Sequence, residues 1–176
     1  MKTSEPEEIP EDIYVGFVRS LFSGFVILLL GALTQGLVGL LVYWKTNEPI
    51  YIVLAVMMTA ASLGRYWAIR RVDPDSIVGY ETALRWERYY IVAGTIQGFC
   101  VGLFAFVSLY VAPDTFGEIA AISVVLASTI TIAGRNFGSR KMVIILSISV
   151  LAPIALGLML KGDLYHFLLG LFLIPF

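Results

Sequence analysis

The 176-residue chain is 59% hydrophobic and 14% charged, with a net charge of −1 and a mean hydropathy of +0.86. Soluble domains carry about 25% charged residues, so these values describe a polytopic membrane protein and exclude a soluble domain with an added anchor. There is no basic run to bind nucleic acid. The lone cysteine, Cys100, excludes an intrachain disulfide and a cysteine-cluster metal site, and reads as a small buried hydrophobe.

The chain opens with MKTSEPEEIPED. A secretory signal needs a basic start followed by a short apolar run. This acidic, proline-containing stretch instead predicts a disordered cytoplasmic tail over residues 1–12. From residue 13 onward, apolar runs of about 18 residues or more predict spanning helices. The first runs from about Phe17 to Tyr43, opening in an amphipathic stretch, IYVGFVRSLFSGF; the second runs from Ile50 to Ile69.

Between the second and third passes lies RVDPDSIVGYETALRWER. Asp73-Pro74-Asp75-Ser76 is a helix-start pattern, with proline at an early helical position and acids near the positive end of the dipole. Glu81 and Arg85 are spaced as a helical ion pair in the favourable order. A short interfacial cytoplasmic helix is therefore predicted at about 73–88, running into the third pass. Trp86, Glu87 and Arg88 at that junction are candidate coupling residues.

The third pass is Tyr89 to Val111, the fourth about Phe116 to Ala133 and the fifth Met142 to Leu160. The sixth, Leu164 to Phe176, would be about 20 Å long at ~1.5 Å per residue, against a bilayer core of about 30 Å. The expectation is an all-α, six-helix transmembrane bundle over residues 13–176 with its sixth helix truncated.

Charge orients the passes. Lys2, Arg19, Arg65, Arg70, Arg71, Arg85, Arg88, Arg135, Arg140 and Lys141 fall on one face, and only Lys45 and Lys161 on the other. The positive-inside rule then puts both termini in the cytoplasm. Tyr43, Trp44, Trp67, Tyr89 and Tyr90 fall at the expected interfaces, as aromatic belts do. Arg65, one turn from a helix end, is expected to snorkel.

Within the membrane, Gly94, Gly98 and Gly102 form a tandem GxxxG, which removes side chains from one helix face and allows close backbone approach. That face suits either a homodimer seam or packing inside one bundle. Ser123, Ala127 and Thr131 form a similar small face on the fourth pass. Gln35 and Gln97 are the strongly polar side chains at depth and need hydrogen-bond partners. They are expected to pair with each other or with Ser128 or Thr129, or else to line a ligand cavity. Pro153 is expected to kink the fifth pass.

His166, the sole histidine, suits a haem or metal ligand, a pH or ligand sensor, or an interfacial hydrogen bond. GRNFGSRK (134–141) suits a tight turn, and Arg135, Asn136 and Phe137 make it a candidate docking contact; it lacks phosphate-loop spacing. The sequence offers no Ser/His pair, carboxylate dyad or metal cluster at depth, so no catalytic residue, cofactor or metal site is assigned.

Three segments, RWERYYIVAGTIQGF, ISVVLASTITIAGRNFGSRKMVIIL and KGDLYHFLLGLFLIPF, resemble in order the N-terminal membrane region of bacterial cyclic-di-GMP signalling proteins. In that family a multi-pass sensor precedes GGDEF and often EAL domains. The similarity runs from about Arg65 to Phe176. It implies a sensory and anchoring domain in the bacterial inner membrane, a homodimer, and a cytoplasmic output domain of diguanylate cyclase or phosphodiesterase type beyond this chain. No GGDEF or EAL motif occurs in the sequence, so the similarity carries over no enzymatic residue. Two other classes suit the composition: a small transporter or channel, and an accessory subunit of a membrane complex.

Overall fold

In hydrocarbon every backbone polar group needs an internal partner, which favours helices. The computed structural model describes residues 10–174, and among these it has helices and turns but no strand. The α-helices are α1 (Glu11–Leu21), α2 (Phe25–Thr46), α3 (Ile50–Arg70), α4 (Tyr80–Phe106), α5 (Thr115–Asn136), α6 (Arg140–Leu160) and α7 (Leu164–Phe172). Five of them, α2 to α6, are long and apolar enough to cross a membrane. The nine described residues of α7 reach only about 14 Å. Among the described residues there are thus five candidate spans, with α7 alone standing where the sixth was expected. The tail expected to be disordered falls mostly outside the described residues, but Glu11 and Asp12 already form the first turn of α1.

Two boundaries differ from the sequence expectation for local reasons. The expected first pass divides at Gly24, whose φ of 70° is left-handed and suits glycine. Just before it, the Ser20 and Ser23 hydroxyls donate to the Phe17 and Ser20 carbonyls (2.6 and 2.7 Å), taking up acceptors at the end of α1. Nor does the predicted 73–88 helix begin at Asp73. The Asp73 carboxylate accepts from the Asp75 N–H at 3.1 Å and caps a single 3₁₀ turn, Pro74–Ser76. Gly79 then turns the chain at φ 77°, and α4 starts at Tyr80. Residues 80–88 are thus the first turns of α4 itself.

Later helices start on acceptors that satisfy free N–H groups. Asp114 accepts from Phe116 and Gly117, Ser139 from Met142, and Asp163 from Tyr165 and His166.

The tandem glycines pack α4 against α6 within the chain. A Cβ at Gly94 would lie 2.7 Å from Leu146 Cδ2, and one at Gly102 would lie 2.6 Å from the Val150 carbonyl and 2.8 Å from Pro153 Cγ. Gly98 faces Ser149 and Val150. Gly36 and Gly39 do the same for α2 against Thr59 and Ala55 of α3. Two apolar clusters result. One, around Tyr51, Met58, Phe104, Val125 and Val150, joins α2 to α6. The other, around Val18, Leu21, Ile77, Tyr90 and Leu146, seats α1 across one end of the bundle.

Gly102→Ala forces a methyl against backbone and should cost about 1–3 kcal/mol, seen as a lowered Tm in detergent. Gly64→Ala, with open space at its Cβ position, should hold or slightly raise Tm through helix propensity. Equal Tm values for the two variants would show that the α4–α6 contact is loose.

Candidate functional site

Arg65 lies on the face of α3 that also buries Ser62 and Ile69. It is five residues from the helix end, about 7.5 Å along the axis. The expected snorkelling does not occur: the side chain turns into the bundle and is only 8% exposed. Three positions of α4 spaced i, i+4, i+7 share one helix face and build its seat. The guanidinium carbon lies 4.5 Å from the Tyr90 ring centroid. Gly94 borders the seat, since a Cβ there would lie 3.6 Å from that carbon, at ordinary van der Waals contact. Gln97 Oε1 accepts from Arg65 Nη1 at 2.8 Å.

Among the described residues no carboxylate comes within 4.0 Å of Arg65. Glu87, buried one turn before Tyr90 on α4, instead accepts from the Tyr14 hydroxyl of α1 at 2.5 Å. A second cation approaches: Arg135, near the end of α5, repels Arg65 electrostatically. Its Nη2 donates to the Leu21 and Ser23 carbonyls at 2.9 and 3.4 Å, where a cation suits the negative end of α1.

Arg65 Nε, Tyr90 Oη, Arg135 Nη1 and Asn136 Oδ1 are the buried side-chain polar atoms without a hydrogen-bond partner among the described residues. All four residues line one cavity of about 630 Å³. Buried polar groups are normally paired, so this concentration marks the site. The cavity is a cleft between α2 and α5 with α4 as its floor. Along α5 it runs from Phe116 to Arg135, about 28 Å at the helical rise.

Its length is apolar. Leu30, Leu41 and Ile119 line it and are exposed at the bundle surface. The Ser123, Ala127 and Thr131 face of α5 does not pack on another helix but forms the cleft wall. The Ser123 and Thr131 hydroxyls donate to their own helix at Ile119 and Ala127 (both 2.8 Å), and Thr34 donates to Leu30 at 2.9 Å. These three hydroxyls along the cleft are taken up by their own helices, while one end carries two cations.

Gln35 and Gln97 both line this cleft, but they pair neither with each other nor with Ser128 or Thr129. Gln35 Oε1 accepts from Ser62 at 2.9 Å and Gln97 from Arg65, while Thr129 donates to Val125. His166 lies elsewhere, at the start of α7, with its Nδ1 against the Asp163 carboxylate. Among the described residues no group of three or more His, Cys, Asp or Glu gathers to hold a metal.

Of the candidate coupling residues, Trp86 packs edge-on against Phe22 and Tyr89, and Glu87 holds Tyr14. Burial first, and then the Glu87 carboxylate, push the Tyr14 hydroxyl pKa upward. Arg88 and Phe137 are exposed, Phe137 to 84%. In the turn between α5 and α6, Gly138 admits the Phe17 ring of α1, 2.6 Å from where a Cβ would stand. Arg65 was missed because its nearness to a helix end suits snorkelling. The signal that could have found it is the Tyr90/Gly94/Gln97 spacing. No known protein family, curated protein or solved structure matches this chain.

Gln97→Leu removes a hydrogen bond to a charged group and should cost about 1.5–3 kcal/mol, measured by unfolding in detergent. Adding Arg65→Met should recover most of that loss, since the stranded charge is then gone. Additive losses would show that the two side chains act independently. At α7, the His166 N–H comes first among the contacts that hold the Asp163 carboxyl below its ordinary value. A depressed folded pKa stabilises above the unfolded value, about 3.9, and that contribution is lost as pH falls through the folded pKa. Amide protection of α7 should therefore drop below about pH 4, and Asp163→Asn should flatten the dependence.

Proposed function

We propose that this chain is a membrane-embedded sensory and anchoring domain of a bacterial signalling protein of the cyclic-di-GMP type. In this reading it lies in the inner membrane as a homodimer, with both termini cytoplasmic and α7 as the start of a sixth pass. The positive-inside asymmetry supports the orientation, and the three-segment resemblance supports the class.

One observation carries the reading. Arg135 both lines the cleft and holds the end of α1. α1 is in turn tied to the start of α4 through Tyr14–Glu87, through Glu11 to the Tyr80 N–H at 2.9 Å, and through Arg19 to the Ile77 carbonyl at 3.0 Å. A change in the cleft that draws Arg135 away from Leu21 therefore alters how α1 is held. That is a two-site coupling of the kind an input domain needs.

The gene read through and beyond the codon for Phe176 should encode a cytoplasmic nucleotide-signalling domain, in frame or in an adjacent frame. With that output present, Arg135→Gln should shift cellular cyclic-di-GMP about twofold or more, given typical coupling energies of 1–3 kcal/mol. A locus with no such domain, or an unchanged nucleotide level, overturns the proposal.

A further inference from the structure

We propose that the α2–α5 cleft binds a long-chain fatty acid, with its carboxylate on Arg65 beside Arg135 and its tail along the apolar walls. The inference deepens the sensory reading by naming the ligand class.

Charge is the first ground. Two guanidiniums converge at one end of the cleft with no carboxylate within 4.0 Å of Arg65. Gln97 occupies Nη1, and Nε is buried and free among the described residues. Nε belongs to the side edge of the guanidinium, which can meet a carboxylate with two parallel N–H donors. Arg135, which lines the same cavity, holds a further buried free donor in Nη1. An unpaired cation in apolar surroundings is unfavourable, and an arriving anion relieves that.

Shape is the second ground. A small inorganic anion would satisfy the donors and leave about 28 Å of apolar cleft unused. The cavity volume is about 630 Å³. The volume falls within the range of about 300–1,000 Å³ for small-molecule sites. A diacyl phospholipid must keep a large headgroup at the membrane surface, whereas Arg65 lies beneath it and is 8% exposed. A carboxylate is small enough to pass inward, and a single chain follows the cleft. Leu30 and Ile119, exposed along its mouth, allow entry sideways from the bilayer.

The test uses the full chain in phosphatidylcholine nanodiscs with radiolabelled palmitate. Saturable binding near one per chain is expected, competed by unlabelled palmitate. Hexadecanol, which lacks the charge, should compete roughly tenfold less well or worse, and Arg65→Gln should weaken binding by a similar factor. Ala127→Trp, which fills the cleft from an exposed position of α5, should abolish binding with helicity and Tm retained. That variant covers the case in which Arg65→Gln fails to fold.

Full binding by either folded variant overturns the proposal. So does displacement of palmitate by inorganic phosphate alone, which marks a small-anion site. Phosphatidic acid outcompeting palmitate overturns it too, by marking a phospholipid headgroup site. Binding is read without any output domain. Absent binding with an intact Arg135-dependent nucleotide response therefore removes this inference alone, and palmitate binding without any output removes the sensory reading alone.

Discussion

Burying one guanidinium sets the terms for the rest of this bundle. A charged side chain at the centre of a membrane helix costs about 2.5–3.5 kcal/mol even on the mildest scales, an upper bound for Arg65, which is five residues from the end of α3. Arg65 has no carboxylate to offset it among the described residues. What it has is one face of α4: the Tyr90 ring and the Gln97 carbonyl oxygen, with Gly94 between them. A cation over an aromatic face gains about 2 kcal/mol or more when desolvated, and a hydrogen bond to a charged group about 1.5–3. These terms are of the same order as the cost, so a tight α3–α4 contact keeps the charge inside. A larger residue at Gly94 would meet Leu146 of α6 first, at 2.7 Å from its Cβ, against 3.6 Å to the guanidinium carbon.

Gly94 serves two contacts at once, because its open side also receives Leu146 of α6. The seat of the charge and the α4–α6 seam are therefore one piece of packing. Gly98 and Gly102 extend it past Val150 and Pro153. Pro153 lacks an N–H for its own helix, and its ring fills the space above Gly102. α4 ends in a π-turn, where the Ala112 N–H bonds back to Val107 at 2.9 Å. Tyr51 braces that turn by donating to the Ala112 carbonyl at 2.8 Å. The glycine stripe thus fixes α4 along its length and leaves α5 the freer wall.

Helix existence was legible because each of α2 to α6 is a long apolar run, and the Gly94/Gly98/Gly102 face was legible because GxxxG has one steric meaning in lipid. Packing inside the chain rather than between chains was not, since a partner helix leaves no trace in spacing alone. The break at Gly24 was hidden inside a continuous apolar run, where hydropathy gives no boundary. The Asp73 start failed because its cap was real but local: it ends one 3₁₀ turn, and Gly79 resets the chain. Both glutamines were rightly placed as polar groups needing partners. The partners proved to be Ser62 and Arg65 on α3, because α2 and α4 both pack on that helix. A side chain near a helix end can turn either way, and only the neighbouring face of α4 decides it for Arg65.

The cleft has a polarity that follows from the same rules. Ser123 and Thr131 would wet the wall if their hydroxyls were free. Inside a helix each instead donates to the carbonyl four residues earlier, which takes up those two donors. At the α1 end the four unpartnered buried atoms gather. One side of that gathering, Arg135, is already shared with the Leu21 and Ser23 carbonyls. In the proposed complex, an anion on Arg65 that also meets the free Nη1 of Arg135 would pull on the guanidinium whose Nη2 those carbonyls hold. Because α1 is otherwise held through Tyr14, Glu11, Arg19 and Phe17, a shift of Arg135 loosens one of several ties without releasing the helix. Graded loosening of this kind would bias an equilibrium by a small coupling energy, which places any consequence of the cleft's contents at α1 and the start of α4.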